Sequence, residues 1–276
     1  MRAFTNFPYG TLSWLPPVLL APFIGSFLGV LILRLPEGRP IVVARSACDR
    51  CGHRLGARDL LPFVSYALSR GHCRYCGETI GWFPVAIEFA ALTIAAWAAV
   101  TVVDDELWLA CLFGWMLLAV AWIDLRTMLL PDALTLPLLA IGLTVTAITR
   151  SDAILDHILA AVLGYPSLFA VAWTYRRFRG RDGLGMGDAK LLGAIGAWLG
   201  LSELPFVLLL AACAGLAAAC AATLAGRRMT AATAIPFGPF LALSGWLLWL
   251  YGDWINDWLS AGGSLGPVLG GWQSGG

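Results

Sequence analysis

The chain has 276 residues, of which 59% are hydrophobic and 13% charged, with 18 basic and 17 acidic side chains and a net charge of +1. Soluble domains carry about 25% charged residues, so water is not the main solvent expected for this chain. A net charge this close to zero excludes a general attraction to nucleic acid.

In chain order, eight apolar segments are candidates to cross a bilayer, which takes about 20 residues per helix. They run roughly over Leu12–Leu33, Phe83–Val103, Leu107–Ile123, Ala133–Thr149, Ile154–Tyr175, Ala189–Gly200, Glu203–Ala225 and Ala234–Trp254. The first lacks a small-x-small cleavage site and is followed by further spans, so it reads as a retained span. The sixth is short and glycine-rich, which suits a tilted helix or one wrapped by its neighbours. The expected fold class is an all-α polytopic membrane protein. Its expected organisation is a first transmembrane helix (1–35), a soluble four-cysteine unit (36–82), a seven-helix body (83–256) and a flexible tail (257–276).

Lysine and arginine mark cytoplasmic loops. Arg34, Arg39, Arg45, Arg50, Arg54, Arg58, Arg70 and Arg74 lie between spans one and two; Arg126 follows span three. Arg176, Arg177, Arg179, Arg181 and Lys190 follow span five, and Arg227 and Arg228 follow span seven. The alternate connections are acidic or neutral and hold one basic residue, Arg150. The loops at 34–82, 124–132, 176–190 and 226–233 are therefore expected inside, and both termini outside.

The first inside loop contains Cys48-x-x-Cys51 and Cys73-x-x-Cys76, with 21 residues between the pairs. Two such hairpins can complete a tetrahedron around zinc. Gly52 and Gly77 follow the pairs and suit tight turns that aim backbone amides at sulfur. The alternatives are disulfides or a redox pair, and a reducing cytoplasm disfavours structural disulfides. A unit this small cannot hold a large core, and a metal would supply much of its folding energy. His53 and His72 sit beside the pairs and read as surface histidines. Cys111, Cys213 and Cys220 fall inside spans and read as small apolar side chains.

Asp124 ends span three, Asp132 closes the same stretch, and Asp188 opens span six within Gly-Met-Gly-Asp. All three are expected at the inside face, where ionisable groups near membrane depth tend to be functional. Paired carboxylates share a proton, and such a pair can activate water and protonate a leaving amine. Plainer readings stand beside this one. Asp188 and Asp132 can cap helix starts, and Asp124 can pair with Arg126 or Lys190. Gly183, Gly185 and Gly187 would admit a substrate backbone and unusual dihedrals. Lys190 reads as a headgroup-phosphate ligand or as a cation that tunes the paired acids. Glu88 reads as compensation of a helix dipole or as a contact to a substrate amine.

Five segments in order resemble the bacterial type IV prepilin peptidases, membrane aspartic proteases with a Gly-x-Gly-Asp signature. They are GSFLGVLILRLPEG (Gly25–Gly38), the cysteine region (Cys48–Glu88), AWIDLRTMLLPDALTLPL (Ala121–Leu138), GMGDAKLLGAIGAWLG (Gly185–Gly200) and AIPFGPFLA (Ala234–Ala242). The resemblance implies that Asp124 and Asp188 are the catalytic dyad and that 83–256 is the peptidase domain. It implies cleavage of prepilin or pseudopilin leaders after a glycine, on the cytoplasmic side of the bacterial inner membrane. It further implies N-methylation of the new terminus with S-adenosylmethionine, a form that accompanies the zinc-bearing cysteine domain. Such enzymes serve type IV pili or type II secretion. Gly29 and Asp49 stand where the family usually has asparagine and proline. Two rival functions remain open on the residues alone: a membrane methyltransferase whose aspartates only cap helices, and a zinc-stabilised transporter or scaffold. Transporters bury charge near mid-span, whereas spans two to eight are nearly free of it.

Overall fold

The computed structural model describes residues 12–41, 46–48, 50–102, 104–180, 185–226 and 235–260. The expectations placed on Arg45, Asp49, Val103, Arg181, Gly183, Arg227, Arg228, Ala234 and residues 261–276 lie outside the described residues, as do the side chains of Asp104, Asp105, Tyr175 and Arg179.

Proline starts several of the long helices, because it lacks an N–H that the first turn leaves unused. Leu15–Arg34 (α1), Phe83–Thr101 (α3) and Leu204–Leu224 (α8) each carry one in their opening positions. Between α1 and α3 lies one short helix, Val64–Leu68 (α2). The rest are Asp104–Thr127 (α4), Asp132–Thr149 (α5), Ile154–Arg179 (α6), Met186–Leu199 (α7) and Gly238–Ser260 (α9). No strand forms among the described residues; two isolated antiparallel bridges pair Ala47 with Arg54 and His72 with Thr79.

The described residues thus form an all-helical membrane protein, with six helices among them long and apolar enough to cross a bilayer: α1, α3, α4, α5, α6 and α8. The remaining two expected spans are α7 and α9. At 14 residues, α7 is about 21 Å long, against a hydrocarbon core of about 30 Å. It does not need to match lipid, because α5, α6, α8 and α9 surround it. Every residue from Leu191 to Trp198 is buried. The sixth span is therefore the wrapped central helix, and of the two alternatives the wrapping is what the packing shows. The last helix continues to Ser260, past the expected end at Trp254, and Asp253 and Asp257 on it dilute its apolar character.

Side-chain contacts sort the helix ends into two faces. At one face Asp124 reaches the start of α9, Lys190 of α7 reaches Asp132 of α5, and Arg126 lies 5.0 Å over the Phe83 ring at the start of α3. At the other, Arg150 meets Glu106, the Leu201 N–H donates to Asp156, and Asn256 donates to Glu203. The first face is the one where arginines collect in the sequence.

One close crossing is that of α6 and α7. A Cβ on Gly196 would sit 2.9 Å from the Ala160 carbonyl oxygen, and one on Gly193 2.8 Å from that of Ala161. These obstacles are backbone and cannot rotate aside. Overpacking typically costs about 1–3 kcal/mol. Gly196→Val is therefore expected to destabilise the detergent-solubilised protein by about 3 kcal/mol. Thermal unfolding checks this, and an unchanged melting temperature would contradict the close crossing.

Candidate active site and thiol cluster

Asp124 occupies the last turn but one of α4, a helix whose buried face includes Phe113, Leu117, Val120 and Ile123. That stripe carries the carboxylate into the protein, where it is 4% exposed. Its Oδ2 accepts the Gly238 N–H at 3.0 Å, from the first residue of α9. No described residue forms an ion pair with it, so the pairing with Arg126 or Lys190 is not realised.

Asp188 is the third residue of α7 and is 7% exposed. Its Oδ2 accepts the Gly185 N–H at 3.2 Å. This is the returning half of a capping box; the other half is missing because glycine has no side chain to give. The capping reading of Asp188 is therefore correct for one of its two oxygens. The two acids, 64 residues apart in the chain, are both buried at the same helix-end face. In each, Oδ2 rests on a backbone amide, and no described residue donates to Oδ1.

The neighbouring residues depart from expectation in instructive ways. Asp132 makes no capping bond; it is the first residue of α5 and accepts from Lys190 Nζ at 2.6 Å. Lys190 thereby has Asp132 as an ion-pair partner. With 37% and 56% of these side chains exposed, the pair is worth at most about 1 kcal/mol. K190A and D132N are each expected to change stability by less than about 1 kcal/mol, measured by thermal unfolding. Gly185 is extended (φ −76°, ψ 144°), so no unusual dihedral is needed there. Gly187 instead gives packing room, since a Cβ would meet Leu130 Cβ at 2.8 Å. Glu88 is buried in the second turn of α3, outside the first-turn positions of dipole compensation, and accepts the Phe63 N–H at 2.9 Å. It ties the cysteine-bearing segment to the bundle, at a residue that carries φ +56° without being glycine.

In the soluble segment, two matching knuckles hold the thiols. Gly52 N–H donates to the Cys48 carbonyl and Gly77 N–H to the Cys73 carbonyl, both at 2.9 Å. Gly52 and Gly77 take φ +67° and +72°, which glycine adopts without strain. The sulfurs of Cys48, Cys51, Cys73 and Cys76 lie within 4.8 Å of one another. Cys48 and Cys76 Sγ are 3.8 Å apart, too far for a disulfide, whose sulfurs are about 2.0 Å apart. Backbone N–H groups of Cys51 and Arg50 hold the Cys48 thiol down at about 7. Cys76 receives a lowering amide from Glu78, yet partial desolvation and the three other sulfurs raise it to about 12. Four thiols in this space cannot all ionise unless a cation offsets their repulsion, so the cluster fits a metal ion. His53 stacks on Tyr75 at 3.5 Å and His72 Nδ1 lies 2.7 Å from the Arg70 carbonyl; neither joins the cluster.

Two features carried no sequence reading. Gly238 acts through its main-chain N–H, which leaves only the flanking prolines as a sign. His157 is buried beside Thr146, with Nδ1 3.1 Å from the Ala197 carbonyl. It lines a cavity of about 200 Å³ with Glu106, Arg150, Trp198 and Trp249. That cavity lies at the opposite face from the two aspartates.

Fold and site together define a polytopic membrane protein with two buried aspartates at helix ends of one face and a metal-type thiol cluster in the segment between α1 and α3. Residues 111–220 match the Type IV leader peptidase family, and residues 19–102 match the Bacterial Peptidase A24 N-terminal domain. The chain is 36% identical over 266 residues to the prepilin leader peptidase/N-methyltransferase of Aeromonas salmonicida, covering 87% of this chain and 91% of that protein. It is 39% identical over 272 residues to the protein of the same description from Burkholderia pseudomallei, covering 89% and 87%. To that of Pseudomonas aeruginosa it is 36% identical over 265 residues, covering 87% and 90%. No solved structure matches the chain. The chain belongs to the type IV leader peptidase family.

Proposed function

We propose that this protein is a membrane aspartic endopeptidase that removes the leader of type IV prepilins or pseudopilins and then N-methylates the new amino terminus. What supports the reading is that Asp124 and Asp188 are both buried at one helix-end face, each with one oxygen on a backbone amide and with no described residue donating to the other. One carboxylate takes a proton from water as its oxygen attacks the scissile carbonyl. The other donates its proton toward the departing nitrogen, so that the pair exchanges a single proton per cleavage. Water supplies the hydroxyl of the new carboxylate, and no covalent enzyme intermediate is needed.

The arginine-rich face is cytoplasmic in this reading, with both termini periplasmic and eight spans in the bacterial inner membrane. A substrate helix lying in the bilayer then presents its leader junction at the level of the aspartates. Zinc is the metal inferred for Cys48, Cys51, Cys73 and Cys76, because the edge of a tetrahedron with Zn–S bonds of about 2.3 Å is about 3.8 Å, the spacing of Cys48 and Cys76. With four protein ligands the ion is structural, and residues 36–82 form the unit it stabilises. S-adenosylmethionine is the methyl donor that fits the N-methyltransferase description of the relatives; no residue is assigned to it.

Incubation of the purified protein with a prepilin and labelled methyl donor tests the whole reading. Both a shortened product and label on its terminus are expected. Labelled but uncut substrate would favour the methyltransferase alternative, and unaltered substrate would favour a transporter or scaffold.

A further inference from the structure

The Pro236-Phe237-Gly238-Pro239 stretch stands far along the chain from both aspartates, yet its glycine touches Asp124. We infer that Gly238 is a positioning residue for the cleavage reaction, fixing Asp124 by its N–H and by its lack of a side chain. The inference rests on the dyad reading and adds a third element to it.

Two independent observations support the role. Gly238 N–H donates to Asp124 Oδ2 at 3.0 Å, from the first turn of α9, where the backbone N–H groups have no partner within the helix. A Cβ at this position would fall 2.6 Å from that same Oδ2 and 3.1 Å from Cγ. No real Cβ is tolerated at 2.6 Å, so any other residue must push the carboxylate away or move the start of α9. The flanking groups oppose the second route. Pro239 sets the backbone of the opening turn, and the Phe237 carbonyl already accepts the N–H groups of Phe240 and Leu241 at 3.1 Å. Farther along, α9 is fixed by Leu241 and Trp246 in the core. The carboxylate is the softer partner and is expected to yield.

Gly185 holds Asp188 in a parallel fashion, but with a difference. A Cβ there would meet Asp188 Oδ2 at 3.4 Å, an ordinary contact. Space is therefore restrictive at Gly238 and permissive at Gly185. The consequence is that Asp124 has one allowed position, set from another helix, while Asp188 is placed by its own. A displaced Asp124 loses alignment with the attacking water, a loss that appears in turnover rather than in substrate binding.

The test compares Gly238→Ala with Gly245→Ala, a control in the same helix whose added Cβ meets Ile195 side-chain atoms at 3.1 Å or more. G238A is expected to lower kcat for leader cleavage by about 100-fold with KM within about twofold. Methyl transfer to a substrate already cleaved should persist in both variants, and G245A should cleave within about threefold of the parent. Equal kcat losses in G238A and G245A would overturn the inference, as would a G238A loss confined to KM. Should G238A fold but prove too unstable for kinetics, a double-mutant cycle with Asp124→Ala, read by thermal unfolding, replaces them. G238A should lower the melting temperature clearly in the parent and by less than about 1 °C in D124A, where the obstructing carboxylate is gone. Additive shifts would overturn it. The dyad has its own readout: if D124N and D188N abolish cleavage while G238A leaves kcat unchanged, the dyad stands and the positioning role falls.

Discussion

Asp124→Asn and Asp188→Asn are each expected to reduce leader cleavage by about 10³-fold or more, because general acid–base transfer contributes roughly 10²–10⁴-fold and the pair acts as a unit. The asparagine carbonyl oxygen can still accept the Gly238 or Gly185 N–H, so the local hydrogen bonding survives the change. What is lost is the ability to take and return a proton. Asp132→Asn serves as the internal comparison. It lies in the same stretch of chain as Asp124 but pairs with Lys190 at the surface, and cleavage by this variant should stay within a few-fold of the parent, a small effect typical of exposed positions. Gel-shift assays of prepilin processing read all three variants, and methyl transfer to pre-cleaved substrate reports whether each is folded. Retention of more than about a tenth of parental cleavage in either D124N or D188N would discard the dyad.

The second large effect is expected at the thiol cluster. Replacing Cys48 and Cys76 by serine should release the metal, taking the stoichiometry from about one per chain to near zero. Binding free energies of about 10–16 kcal/mol are known for structural zinc in small domains, which exceeds what a segment of this size gains from burial. Few of its side chains are buried; among the cysteines, Cys73 alone is. Without the ion, residues 36–82 should become open to proteolysis, while α3 to α9, against whose core Ile41 alone of the described residues in that segment packs, keep their melting behaviour. Metal analysis of protein purified without chelator is the direct check. Absence of zinc from such protein would falsify the assignment, and protease resistance of the double-serine variant would show that the knuckles hold by themselves. The Phe63–Glu88 hydrogen bond predicts where any propagated effect would enter the bundle.

Much of this architecture was legible before any coordinate. Apolar runs of about 20 residues are dictated by the solvent, since a bilayer leaves backbone groups no partner but each other. Cys-x-x-Cys spacing is local, so Cys48, Cys51, Cys73 and Cys76 could be grouped from the letters, and Gly52 and Gly77 adopt the turn conformations that their placement suggested. Charge along the chain sorted helix ends into two faces, and the side-chain contacts respect that sorting.

Other features depend on residues distant in sequence, and no local pattern encodes them. The short glycine-rich α7 reads as a doubtful span until four helices are seen around it, which removes the need to match lipid thickness. Asp132 reads as a cap until α5 and α7 bring it within 2.6 Å of Lys190. Gly238 reads as part of a helix start until α9 meets α4 at Asp124. Sequence by itself determined the class of the molecule, its thiol cluster and its candidate acids, because solvent, metal chemistry and topology act through composition and short spacing. Tertiary structure alone decided which amide holds which oxygen, because a main-chain donor carries no side-chain signature and its partner lies 114 residues away.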